Sequence, residues 1–205
     1  MSLVTLRCTI EGVRPLLHHN CRLANPLDPY TKLLKTLTSQ RDKTDETYEQ
    51  MAYVEWHGGI YAQNDRPFCP DKWLYKTVLE AAKLSNMGKA YAAGYVCSDG
   101  QLIYDGPQTL PELFTHTVSE NQVEHKPYVY TELVRVRGSR VLRTRPRFDA
   151  WSAIFEAEIS TEVLSAQTFQ ELLRTAGRRL GIGDGRPRFG LFRVVSVKEL
   201  TATIG

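Results

Sequence analysis

The C-terminal end of this 205-residue chain constrains its fold more than any other part. In WSAIFEAEIS, every second residue from Trp151 to Ile159 is apolar, which is the pattern of a half-buried β-strand. Apolar residues then recur at helical spacing from Phe169 to Leu180, which predicts an amphipathic helix. LFRVVSVKEL, residues 191–200, predicts a final strand. A strand, a helix and a strand in this order restrict the chain to folds in which helices pack on a sheet.

The N-terminus supplies a further strand. In LVTLRCTIE, residues 3–11, the apolar side chains Val4, Leu6, Cys8 and Ile10 alternate with polar ones. Between the two ends we expect helices at about Tyr30–Leu37, Thr44–Gly59 and 70–85, the second of them capped at Thr44. We also expect a hairpin that turns at Asn64–Asp65 and a turn-rich stretch at 86–128, with short strands around Ala92–Cys97 and Gln101–Asp105.

These elements predict an α+β protein with a ferredoxin-like (RRM-like) core sheet and a helical insertion. We expect one domain over residues 1–205, with core strands at about 1–12 and 130–205 and the insertion at about 20–130. At this length, a chain with 42% hydrophobic residues can bury a substantial core.

Positive charge is concentrated in two segments that contain arginine and no lysine. Residues 133–148 hold no acid, residues 174–193 hold one, and the formal net charge of the whole chain is +3. The first segment contains Arg135, Arg137, Arg140, Arg143, Arg145 and Arg147, and the second contains Arg174, Arg178, Arg179, Arg186, Arg188 and Arg193. Arginine forms paired hydrogen bonds to phosphate and stacks on flat rings. The two segments therefore indicate an anionic partner.

The first segment predicts a hairpin that turns at Gly138-Ser139. Because Val134, Val136 and Val141 alternate with its arginines, we expect valines on one face and arginines on the other, as in the wall of a nucleic-acid groove. Aromatic residues beside the arginine runs could stack bases: Tyr128, Tyr130, Phe148, Trp151 and Phe189. Trp151 is better explained as core, because it heads the inward face of its strand.

The second segment contains a glycine-rich loop, in GRRLGIGDGRPRFGLFRV at residues 177–194. Gly181 is well placed to end the preceding helix. Gly183, Gly185 and Gly190 allow positive φ and close approach of a ligand, and their N–H groups could bind an anion. A helix cap and turn with solvated arginines is the alternative. The loop has no GK[ST] and follows a helix, which argues against nucleotide hydrolysis and NAD binding.

A family resemblance rests on these two ends of the chain. LGIGDGRPRFGLFRVVSV resembles the glycine-rich loop of the RAMP superfamily of CRISPR-associated RNA-binding proteins, and VTLRCTIEGVRPLLHHN resembles the first strand and G-x-x-P-L turn of its backbone subunits. The chain also resembles small phage proteins with a PLL-HN turn and a GDxRPRFG loop. The motifs cover about 35 residues.

The resemblance implies a protein that binds the backbone of single-stranded nucleic acid, RNA in first place, and that assembles along the strand as a homo-oligomer or with CRISPR-type subunits. Together with the arginine pattern it defines the candidate binding residues. They are Arg135, Arg137, Arg140, Arg143, Arg145, Arg147, Arg178, Arg179, Gly181, Gly183, Gly185, Arg186, Arg188, Phe189 and Gly190.

Two other functions remain open. A metal-independent endoribonuclease needs a base, an acid and a cation near the phosphate, which His18 or His19 and an arginine of 178–188 could supply. A His-His-Asn turn can equally serve only to hydrogen-bond its own loop. The third possibility is a phage protein that mimics a CRISPR subunit or docks on one.

The remaining sequence features argue for a protein without a bound group. The four cysteines, Cys8, Cys21, Cys69 and Cys97, show no CxxC or CxxH pairing, so we expect free thiols, no metal and no cofactor. No leader or long apolar run is present, so we expect a cytoplasmic protein.

Overall fold

The computed structural model describes residues 2–136 and 138–200. Its strands are β1 (Leu3–Gly12), β2 (Leu16–Leu17), β3 (Ala62–Gln63), β4 (Arg66–Cys69), β5 (Tyr95–Cys97), β6 (Gly100–Ile103), β7 (Val118–Glu120), β8 (Val123–His125), β9 (Val129–Val136), β10 (Ser139–Phe148), β11 (Ser152–Ser160) and β12 (Phe192–Leu200). Its helices are α1 (Pro29–Thr38), α2 (Asp45–Gly59), α3 (Asp71–Lys83), α4 (Gly88–Tyr91), α5 (Leu110–Thr115) and α6 (Ala166–Arg179). An α+β fold with antiparallel sheets is thereby confirmed.

The chain divides into two compact units. The sheet unit comprises the residues up to Leu16, Phe68–Asp105 and those from Asp149 onward. The hairpin unit comprises Leu17–Pro67 and Gly106–Phe148. The expectation of one domain with an insertion at about 20–130 stays a prediction.

The sheet unit is built on strands in the order β12-β1-β11-β6-β4, with β5 also beside β11. Each paired neighbour is antiparallel: β1 pairs with β12 and β11, and β6 pairs with β11 and β4. Along the chain, α3 lies between β1 and β6, and α6 lies between β11 and β12.

The core of this unit follows the predicted alternation. The buried apolar side chains of its two central strands are Leu6, Cys8, Ile10, Ala153, Phe155, Ala157 and Ile159. Helix α6 adds the buried Phe169 and Leu173, and α3, which packs on α6, adds Leu74 and Val78. Burying each large apolar side chain contributes about 1.5–3 kcal/mol, so the alternating strands and the helical stripes select this packing.

Helix α6 begins and ends at signals in its sequence. The hydroxyl of Ser165 accepts a hydrogen bond from the backbone N–H of Thr168 at 3.1 Å. The helix ends before Gly181, whose φ of +74° is the left-handed value expected of a glycine that follows a helix.

The hairpin unit combines helices with a small sheet in the order β2-β10-β9. The side chain of Thr44 caps α2, as its sequence predicts, and Trp56 of α2 is fully buried. The indole N–H of Trp56 donates to the carbonyl of Tyr128 at 2.8 Å. The sequence predicted that β9 and β10 belong to the core sheet. This is wrong, because they pair in a different sheet from β1, β11 and β12.

The stretch 86–128 contains more regular structure than we expected. Strands β5 and β6 lie close to the predicted positions, but the short helices α4 and α5 and the β7–β8 hairpin were not predicted. Each of these extra elements has six residues or fewer, which is too short for a clear hydrophobic period.

Candidate nucleic-acid interface

Strands β9 and β10 form the predicted hairpin. Their antiparallel register pairs Val136 with Ser139, and Gly138 between them has a φ of +90°. Going outward from this turn, Arg140 lies opposite Arg135 and Arg143 lies opposite Glu132. Arg137 lies outside the described residues.

The expected separation of valines from arginines is wrong in β10. Val141, Arg143, Arg145 and Arg147 are two residues apart and therefore share one face. Arg140 lies on the other face, because it is three residues from Arg143. The consecutive apolar pair Val141-Leu142 causes this change of phase.

The arginines on the Val141 face are engaged by carboxylates or a ring of the same unit. Arg143 donates to Glu55 at 2.7 Å, and the other carboxylate oxygen of Glu55 accepts from the N–H of Thr144 at 2.7 Å. Arg145 donates to Glu132 at 3.0 Å. The guanidinium of Arg147 lies 5.3 Å from the centre of the Tyr130 ring. These contacts brace the hairpin, and Glu55, at 5% exposure, is part of the core.

Arg135 and Arg140 differ from these three. Both side chains are exposed, they lie directly opposite each other across the two strands, and neither forms an ion pair with another described residue. Like charges opposite each other in a sheet are destabilising by a few tenths of a kcal/mol. An anion at this position would relieve that repulsion.

Positive φ explains most glycines of the second segment. Gly181, Gly183, Gly185 and Gly190 have φ between +68° and +80°. A side chain at Gly190 would overlap the carbonyl of Ile182, whose N–H donates to the carbonyl of Gly190 at 2.9 Å. The loop is therefore a folded structure whose backbone requires glycine at these positions.

Arg186 is part of that structure. Its guanidinium donates to Glu80 at 3.1 Å and to the carbonyl of Gly181 at 3.2 Å, and the hydroxyl of Thr77 donates to the same carbonyl at 2.8 Å. Arg186 thus holds the loop against α3.

The three other candidate arginines of this segment lie at the surface. Arg178 and Arg179 are exposed in the last turn of α6, where positive charge also interacts favourably with the helix dipole. Arg188 is exposed, with its guanidinium 4.9 Å from the centre of the Phe189 ring. Phe189 itself is only 6% exposed, so its ring packs in the protein, and Arg188 presents the cation.

A small cavity lies beside the glycine loop. Its volume is about 120 Å³, and Lys76, Gly183 and Arg186 line it together with Trp73 and Ile182. The backbone N–H groups of Gly183 and Gly185 donate no hydrogen bond within the described part of the chain. Both cationic side chains of the cavity pair with Glu80, Lys76 at 3.9 Å and Arg186 at 3.1 Å, so their charge is partly neutralised within the protein.

The two histidines of the nuclease alternative differ in exposure. His18 is fully buried, where burial lowers the pKa of its imidazole to about 3. Its Nδ1 accepts a hydrogen bond from the N–H of Tyr61 at 3.2 Å, and its ring packs on Phe148. An imidazole in this position stays neutral and is shielded from any substrate. His19 is exposed.

Two structural findings bear on other classes of function. Within residues 2–136 and 138–200, no cluster of three or more histidine, cysteine, aspartate or glutamate side chains could hold a metal ion. No helix in the described part of the chain is both long enough and apolar enough to cross a membrane.

Comparison with known proteins gives little. No family model and no curated protein matches the sequence. Among solved structures, the crystal structure of Cmr6 from Pyrococcus furiosus is similar at a TM-score of 0.35 and 12% identity, over 95% of this chain and 99% of that chain. A likeness at this score carries no argument about fold or function. The superfamily resemblance therefore continues to rest on the sequence motifs.

Proposed function

We propose that the sheet unit is a ferredoxin-like core. The supporting observation is the strand order β12-β1-β11-β6, in which all neighbours are antiparallel. Numbered along the chain, these strands are fourth, first, third and second, and α3 and α6 occupy the first and last connections. That order and those two crossover helices define the split βαβ arrangement.

We further propose that the protein binds single-stranded nucleic acid, preferably RNA, through its phosphates. The observation that carries this proposal is the pair Arg135 and Arg140, two exposed guanidinium groups held opposite each other without a carboxylate partner among the described residues. In the absence of a ligand, an acidic residue at either position would stabilise the hairpin, because opposite charges across two strands attract. A polyanion supplies the missing negative charge and accepts paired hydrogen bonds from each guanidinium.

The sheet unit contributes a second basic surface, formed by Arg178, Arg179 and Arg188. These side chains are exposed in the last turn of α6 and in the glycine loop that follows it. The candidate set consists of guanidinium groups and backbone N–H groups, which are suited to phosphate, and it contains few exposed rings that could stack on bases. We therefore expect binding to depend weakly on base sequence. Assembly along the strand, which the superfamily resemblance implies, would appear as more than one protein per long RNA.

The test is binding to a fluorescent single-stranded RNA of ~30 nucleotides, measured by anisotropy over a range of salt concentrations. Arg135→Ala/Arg140→Ala should weaken binding roughly tenfold and reduce the slope of log K against log salt by about 1.4, because two phosphate contacts are lost. RNA recovered intact after the titration would count against the nuclease alternative.

A matched variant, Arg7→Ala/Arg193→Ala, removes the same charge from two exposed arginines that pair with Glu156 and Glu11. It should change the affinity less than twofold. Equal weakening by both double variants would mean that only the net charge of the protein matters, which would contradict a specific role of Arg135 and Arg140. Absence of binding by the wild-type protein in 50 mM salt would also contradict the proposal.

A further inference from the structure

An open groove runs along α2 in the hairpin unit. It consists of a cavity of about 610 Å³ and one of about 260 Å³, which share Glu49 and Ala52 of α2 as lining residues. On the opposite side, Val129 and Thr131 of β9 line it. None of these residues belongs to the candidate nucleic-acid interface.

The floor of the groove is apolar and aromatic. Tyr53 is 50% exposed, and its ring meets that of Phe114 edge to face at 5.2 Å between centroids. Both rings line the larger cavity with Ala52. Tyr48 and Leu142, which line the smaller one, are 47% and 46% exposed.

The apolar surface continues along the hairpin. Leu142 lies opposite Leu133, which is 62% exposed, so the two leucines share the hairpin face that lines the groove. A contiguous exposed surface of this kind, rimmed by polar groups, is typical of a site for another macromolecule.

Helix α2 contributes acidic side chains to the groove, and one of them, Glu55, is paired with Arg143. Glu46 and Glu49 line the larger cavity one helical turn apart, and neither forms an ion pair with another described residue. The helix dipole accounts for Glu46 in the first turn, but its effect falls off before Glu49. Lys126, on the other side, lies with its ammonium 4.5 Å from the centre of the Phe114 ring.

We propose that this groove docks a basic amphipathic segment of a partner protein. Its apolar side chains would fill the space over Ala52 and Tyr53, and its lysine or arginine side chains would face Glu46 and Glu49. Glu46 accepts a hydrogen bond from Gln50 at 3.5 Å but, like Glu49, forms no ion pair among the described residues, so these two carboxylates select the sign of the partner's charge. Arg135 and Arg140 lie farther out on the same hairpin face and repel cations, which orients the segment's basic side toward α2.

The experiment uses the full chain and a fluorescent model peptide of about 14 residues, leucine on one helical face and lysine on the other, roughly 21 Å long as a helix. The wild-type protein should bind it, and Glu46→Lys/Glu49→Lys should weaken binding at least tenfold. Ala52→Gln, which narrows the groove without a change of charge, should weaken it several-fold. The control Glu158→Lys/Glu171→Lys reverses two exposed carboxylates of the sheet unit and should change affinity less than twofold.

Several results would overturn the proposal. One is equal binding of a matching leucine–glutamate peptide, and another is equal weakening by the control variant. The proposal is also overturned if the wild-type protein does not bind the leucine–lysine peptide at 100 µM. If light scattering shows a dimer of the free protein that Ala52→Gln dissolves, the occupant is a second copy of this chain and not a partner. Binding of Ala52→Gln to RNA should be unchanged, which separates this test from that of the proposed function.

Discussion

The two arginine-rich segments look alike in sequence and differ in how the fold uses them. In the hairpin, two arginines pair with carboxylates of the same unit, and two others lie opposite each other in the strand register with no carboxylate partner among the described residues. In the glycine loop, Arg186 bonds to Glu80 and to a loop carbonyl, while Arg178 and Arg179 remain at the surface. Arginine density alone therefore does not define a binding surface. The position of the carboxylates decides which guanidinium groups are available.

The largest expected difference between the two segments is the loss of stability when one glycine of each is replaced by alanine. Gly190→Ala should lower the free energy of unfolding by more than about 3 kcal/mol, because it combines a φ of +72° with an overlap on the Ile182 carbonyl. Gly138→Ala, at a φ of +90° with nothing within 4 Å of its Cβ, should cost about 1 kcal/mol. Urea unfolding measures both. Equal costs would mean that the loop is no more tightly packed than the hairpin turn.

The second-largest loss of stability should come from removing the carboxylate of Glu55, which bonds to the hairpin. Glu55→Ala leaves Arg143 and the N–H of Thr144 without their acceptor and should destabilise the protein by about 2–3 kcal/mol. Glu156→Ala breaks an exposed pair with Arg7 and should cost under about 0.5 kcal/mol. If the two variants unfold at the same urea concentration, the Glu55 contacts do not brace the hairpin.

Acid should weaken the hairpin unit and spare the glycine loop. Burial lowers the pKa of His18 from 6.5 to about 3, so the folded state binds fewer protons than the unfolded state between these values. The protein therefore has its full stability with respect to this group above pH 6.5, where His18 is neutral in both states. As the pH falls below 6.5, the free energy of unfolding decreases by up to about 1.4 kcal/mol per pH unit. Burial also lowers the pKa of His57 and adds in the same direction.

Hydrogen exchange at pH 7.5 and pH 5.0 would measure this loss unit by unit. His18→Gln should flatten the pH dependence, and His19→Gln, at an exposed position, should leave it unchanged. A pH dependence that survives His18→Gln would assign the effect to other groups.

The smallest effect concerns the exposed arginines of α6. Arg178→Ala/Arg179→Ala should weaken binding of the ~30-nucleotide RNA three- to fivefold. It should lower the free energy of unfolding by no more than about 1 kcal/mol, because these exposed side chains contribute to stability only through the helix dipole. An effect larger than that of Arg135→Ala/Arg140→Ala would reverse the order of the two surfaces. Thermal unfolding of each variant is the control.

Local patterns determined much of the fold in advance. The alternation of β1 and β11, the stripe of α6, the Thr44 cap of α2 and the turn at Gly138 are all present as expected, because each depends on neighbours within a few residues. The site was less predictable. Counting outward from Gly138 would have placed Glu132, the residue just before the arginine segment, opposite Arg143.

Only the tertiary structure could identify the other acids. Glu55 lies 88 residues from Arg143 in sequence, and Glu80 lies 106 residues from Arg186. No local period relates such pairs, since their distance depends on how α2 and α3 pack within their own units. The tertiary structure also assigned the arginine hairpin to a sheet separate from β1, because strand pairing is chosen by long-range contacts. The sequence by itself determined where strands, helices, turns and positive charge occur, and the packing decided which of those charges remain for a ligand.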